Sequence, residues 1–271
     1  MVKKLLKHEF IYYIRTFILF IPIVLVLAAM TRVFWFFNDY DNIADDIAFT
    51  SSVALLIVVC AALLILSTVI CIVRFYKNMF TSEGYLTFTL PITNAEHIFV
   101  KLFVGMVCQA VCFLTVVAAG CIAISGEKLV EVFDRIKDGV GELFAEAGVA
   151  NSIGFIIEGS LLVILSLVSN MLLYYACITI GQTAKKNRIL KAFGAYFIYY
   201  IATQSIVTGF MIVYVVLGMT HSLDGVLAWA EANSTLASHL RLSGRIVLNA
   251  VMGSVFWFVT QTIMTKKLNL E

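Results

Sequence analysis

Apolar residues fill six long runs of this chain, and polar residues gather in short stretches between them. The runs cover about residues 17–37, 47–73, 98–124, 153–181, 190–217 and 244–264. Each reaches the roughly 20 residues that a helix needs to cross a hydrocarbon core of about 30 Å. Three further stretches have a helical period but a different composition. Residues 2–16 can place Leu5, Leu6, Phe10, Ile14 and Phe17 on one face, with Lys3, Lys4, Lys7 and Arg15 ready for anionic headgroups. This pattern predicts an amphipathic in-plane helix, the alternative being an N-terminal extension of the first span. Within 125–152, Leu129, Val132, Phe133, Ile136, Val140 and Phe144 recur at helical spacing among charges, which predicts an acidic amphipathic helix on the membrane surface. A further segment, 219–243, holds Trp229 and is mostly polar or small.

The third stretch is 74–91, RFYKNMFTSEGYLTFTLP, between the second and third runs. It carries too much apolar surface to lie free in water. Tyr76, Met79, Phe80 and Glu83 fall on one face of a short helix, Gly84 suits its C-terminal end, and Pro91 stops the next element. Such a helix either docks against another protein or rests on lipid headgroups.

Composition agrees with the pattern. The chain has 271 residues, 61% hydrophobic and 13% charged, with a mean hydropathy of +0.97. A soluble domain is nearer half apolar and a quarter charged. The fold class expected is an all-α membrane protein with six spanning helices, and no stretch is left for a soluble domain. With only 2 prolines, most helices should run unbroken.

Charge orients the spans. Lys3, Lys4, Lys7, Arg15, Arg74, Lys77, Lys101, Lys185, Lys186, Arg188, Lys191, Lys266 and Lys267 lie on one side of the predicted topology, 13 of the 19 cations. The positive-inside rule puts that side, with both termini and residues 74–91, in the cytoplasm. The carboxylates lean the other way, through Asp39, Asp41, Asp45, Asp46 and the 127–146 segment. Lipid is the partner that this composition demands, and no nucleic acid is expected.

Candidate chemistry is sparse. No G-x-x-x-x-G-K-[ST] loop occurs, so ATP is not hydrolysed here in that way and the chain is not expected to be an enzyme. His8, His97, His221 and His239 are scattered, and no metal site is expected. The 6 cysteines lie in or at the ends of apolar runs without a C-x-x-C pair and read as buried, unpaired thiols. Glu158 is the one carboxylate inside a predicted span, near its outer end, with Arg241 or Arg245 expected as its partner. Asn170, Thr203, Gln204, Ser205 and Thr208 are polar groups within spans. They either bond neighbouring helices or line a substrate path.

Three segments, LLKHEFIYYIRTF near the start, RFYKNMFTSEGYLTFTLPIT, and IGQTAKKNRILKAFGAYF at 180–197, resemble short bacterial ABC-2-type exporter permeases. The resemblance implies a multi-pass subunit of the bacterial plasma membrane, paired with a second permease, a copy or a relative. Two separate ATPase subunits would bind ATP and Mg. It implies that the N-terminal helix, through Lys7 and Glu9, touches the ATPase. The short helix after span two would be a coupling helix, its contact made by Tyr76, Met79, Phe80, Glu83, Gly84 and Tyr85. The alternative is an ion-coupled secondary transporter or a membrane accessory or immunity protein.

Overall fold

The computed structural model describes residues 2–37, 43–81, 84, 92–124, 126–184 and 186–266. They form eight helices: α1 (Val2–Phe36), α2 (Ile43–Phe80), α3 (Asn94–Ile124), α4 (Glu127–Ala147), α5 (Val149–Gln182), α6 (Arg188–Met219), α7 (Asp224–Ala232) and α8 (Ser234–Lys266). No strand occurs among the described residues. Six of the helices, all but α4 and α7, are long and apolar enough to cross a membrane. The chain divides into two compact units, Met1–Val140 and Gly141–Glu271.

In the first unit α1 packs most extensively on α3, and α2 packs on both. Their buried residues follow helical stripes. On α1 these are Glu9, Tyr13, Phe17, Val24, Ala28 and Thr31. On α2 Leu56, Leu63, Ser67, Cys71, Phe75 and Asn78 lie inside, and α3 answers with His97, Lys101, Val104, Cys108, Cys112 and Ala119. Such spacing of three and four keeps one face of each helix on its neighbours. Polar bonds tie the stripes together at two levels. Gln109 Nε2 donates to Thr68 Oγ1 at 3.0 Å, and Thr31 Oγ1 reaches Ser52 O at 3.5 Å. A capping box opens α3: Thr93 N donates to Glu96 Oε2 at 2.8 Å, and Glu96 N to Thr93 Oγ1 at 3.3 Å.

In the second unit α5 packs most extensively on α8 and then on α6. From Met171 to Thr179, α5 is buried on nearly every side, whereas α6 has no buried residue. A Cβ on Gly253 of α8 would stand 3.8 Å from Cα and Cβ of Ser169 on α5, an ordinary van der Waals contact. The α5–α6 corner is tighter. A Cβ on Gly181 would stand 2.7 Å from both Ala192 Cβ and Arg188 O. Asn187, which opens α6, takes the left-handed backbone that Asn tolerates better than most residues.

Three boundaries differ from the sequence-based expectation. Residues 2–16 do not form a separate in-plane helix. They are the first turns of the 35-residue α1, with no glycine or proline before Pro22 to break it. The face that packs there is also different: Ile14 is 59% exposed, whereas Glu9 is 2% exposed. The expected short helix after span two is, up to Phe80, the end of α2 itself. Finally, 234–243 belongs to the last spanning helix, and only α7 stands apart in the 219–243 segment.

Candidate functional site

Glu9 is the centre of a buried ionic knot where α1, α2 and α3 meet. Its Oε1 accepts from Asn78 Nδ2 at 2.7 Å and from Lys101 Nζ at 2.9 Å. Its Oε2 accepts from Arg74 Nε at 3.1 Å. The Arg74 guanidinium also lies over the Tyr12 ring, 3.9 Å from its centroid. The side chains of Glu9 and Lys101 are 3% exposed and that of Arg74 is 18% exposed. Removing such charges from water costs several kcal/mol per ion, which only close pairing and hydrogen bonds offset. Three helices must therefore stay in register for the knot to exist. His97, one turn before Lys101 on α3, is fully buried beside this end of the bundle.

Glu9 and two of its partners, Asn78 and Lys101, occupy core register positions. Glu9 precedes Tyr13 and Phe17 by one and two turns on the packing stripe of α1. Asn78 follows Cys71 and Phe75 on that of α2, and Lys101 precedes Gly105, Cys108 and Cys112 on that of α3. A charged residue in the register of an apolar stripe is buried by the packing of its neighbours. Position along the chain points elsewhere, making Arg74 and Lys101 cations that flank the spans and Glu9 a surface residue.

The expected ATPase-contact residues divide. Lys7 is exposed and Tyr76 half-exposed. Met79 is fully buried and Phe80 nearly so, its ring 5.9 Å from that of Phe75. Gly84 is buried and its N–H donates to Thr81 O at 2.7 Å. The aromatic face expected to reach outward thus packs, for Phe80, into the first unit's own core. Glu83 and Tyr85 lie outside the described residues.

The second unit holds a different ionisable pair. Glu158 does not pair with Arg241 or Arg245, as expected, but with His239: Nδ1 and Oε2 are 2.9 Å apart. The longer α8 brings this about, because its extra N-terminal turns carry His239 alongside α5. The imidazole stacks on the Phe155 ring at 4.0 Å and 4°. Gly154 leaves room for it, since a Cβ there would be 3.0 Å from His239 Cε1. Both side chains keep some contact with solvent space, 22% for His239 and 26% for Glu158.

The expected substrate-path residues are not gathered into a site. Thr203 Oγ1 bonds back to Tyr199 O and Tyr200 O of its own helix, and Gln204, Thr208 and Asn170 are exposed on α6 and α5. All six cysteines are free, and no group of three His, Cys, Asp or Glu suited to a metal ion occurs among the described residues. The arrangement offers ion pairs that hold or release helices, with no activated nucleophile beside a base among the described residues.

No protein-family model, no curated protein and no solved structure matches the chain.

Proposed function

We propose that this chain is the membrane-spanning permease subunit of an ATP-driven ABC-2-type exporter in a bacterial plasma membrane. ATP and Mg would be bound by a separate ATPase, and a second permease would complete the complex. The observation that carries the reading is the Glu9 knot. It fixes the end of α2, and so the entry to residues 82–91, to α1 and α3 at once. A partner pressing on this end of the chain would move three spanning helices as one body rather than bend one of them. Transport would then be a switch between two arrangements of the helices, with no covalent chemistry in this chain. The cytoplasmic side is the one that carries most of the cations.

The partner surface consists of what is accessible at that end, Lys7 and Tyr76, with Lys77 and Thr81 beside them. Purification of the tagged chain from its native membrane tests this reading. An ATPase with a phosphate-binding loop should co-purify in stoichiometric amount. Its absence, with the chain intact and folded, would overturn the proposal.

One observation favours the second reading, an ion-coupled transporter. Glu158 and His239 form a titratable pair inside spanning helices, the kind of group that proton-driven carriers use. A pH gradient that drives transport without ATP would select it.

A further inference from the structure

Helix α4 presents an apolar stripe that no described residue covers. Val132, Phe133, Ile136 and Val140 are all exposed, and Leu129 is half-exposed. On a helical wheel these five fall within an arc of about 100°. Glu131, Asp134, Asp138 and Glu142 occupy the opposite side. The three cations sit between the two zones, Lys137 on one flank and Lys128 and Arg135 on the other. Charge sign therefore changes with angular height above the stripe.

This order suits one kind of surface. Cations at the edge of an apolar face can bury their stems and extend their heads to phosphate, while carboxylates at the crown remain in water. A protein groove has no need of such a gradient. The ends of α4 agree. It comes after α3 with only residues 125 and 126 between them, and it precedes α5 after Gly148 alone, so each end adjoins a spanning helix. Its first turn is pinned at the end of α1. Trp35 lies under both Arg32, 4.2 Å from its ring centroid, and Lys128, 5.6 Å away. Gly126, at φ +103, makes the turn against Arg32, where a Cβ would be 2.9 Å from Nη2. Trp, Arg and Lys together are the side chains that gather at a membrane–water boundary. Gly139 and Gly141 lower the helix's intrinsic stability, so a surface must help to hold it.

We propose that α4 lies flat in a phospholipid headgroup layer. Leu129, Val132, Phe133, Ile136 and Val140 would rest on acyl chains, Lys128, Arg135 and Lys137 would contact phosphates, and the acidic crown would face water. The occupant of the stripe is thus the bilayer to which the chain already belongs, and the assignment does not depend on what the protein transports.

Site-directed spin labelling tests it in the full chain, reconstituted in vesicles of equal phosphatidylcholine and phosphatidylglycerol. Labels at Ile136→Cys and Phe133→Cys should be more accessible to oxygen than to a nickel chelate, and labels at Asp134→Cys and Asp138→Cys should show the reverse. Chelate access at 136 as high as at 138 would overturn the proposal. Exclusion of both reagents at 136 would overturn it too, because a protein would then cover the stripe. If replacement of the native cysteines prevents folding, Ile136→Trp and Asp138→Trp in the native background give the same test. Brominated acyl chains should quench the added fluorescence at 136 and spare it at 138, and equal quenching would overturn the proposal.

Discussion

Replacing Glu9 by Gln removes the carboxylate and keeps the shape. Lys101, with 3% of its side chain exposed, then holds an ammonium group that has lost its Glu9 partner at 2.9 Å. Arg74 loses a partner as well, but its greater exposure and the Tyr12 ring moderate the loss. Removing one member of a buried ion pair costs about 3–5 kcal/mol, most of it the desolvation of the charge left behind. At about 3 kcal/mol the thermal midpoint should fall by roughly 6–12 °C for a chain of this size. The assay is thermal unfolding of the purified protein in detergent, tracked by intrinsic fluorescence. The partner variant is Lys101→Met, which removes the buried ammonium charge at similar length. Combined with Glu9→Gln it should recover more than half of the lost stability, because the two changes act on one interaction. A Glu9→Gln midpoint within about 1 °C of wild type, or a double variant no better than the sum of the singles, would refute the knot as a stabilising element.

Other outcomes rest on the packing. Gly181→Ala should destabilise by about 1–3 kcal/mol in the same melting assay, because its methyl would meet Ala192 and the Arg188 carbonyl at 2.7 Å. Gln109→Leu should be close to neutral, since it gives up one bond to Thr68, worth about 0.6 kcal/mol in a membrane, and also removes a buried Oε1 that has no partner among the described residues. Phe80→Ala should cost about 3–5 kcal/mol through the core rather than through a partner, so its folded yield should drop even without an ATPase. A label at Arg135→Cys should react with an impermeant reagent only from the outer face of intact cells.

The number of candidate spans is legible in the sequence, because runs of about 20 or more apolar residues survive any uncertainty about where a helix ends; which face of each span is buried is not, because nearly every position in such a run is apolar. Continuations are not legible either. Hydropathy falls where α1, α2 and α8 leave the apolar runs, yet nothing in residues 2–16, 74–80 or 234–243 breaks a helix, so each runs on. Those extensions carry the ionisable pairs. Charge and position along the chain make Glu9 a surface contact, Arg74 an anchor and His239 a bystander. Register is the better guide for Glu9, which lies one turn before Tyr13 on the packing stripe, whereas Arg74 and His239, one residue from Phe75 and two from Ala237, are engaged by the carboxylate of a neighbouring helix. The partner of Glu158 escapes for that reason: Arg241 and Arg245 are close in sequence to His239, but His239 is the one that reaches α5 at Gly154.

Photocrosslinking in the native membrane tests the central claim most directly. A benzoylphenylalanine at position 76 would place the probe on the accessible side of the end of α2. The account predicts one dominant protein adduct, an ATPase with a phosphate-binding loop, whose yield changes when ATP hydrolysis is blocked with vanadate. Adducts with lipid alone, unchanged by vanadate while the chain remains folded, would contradict it.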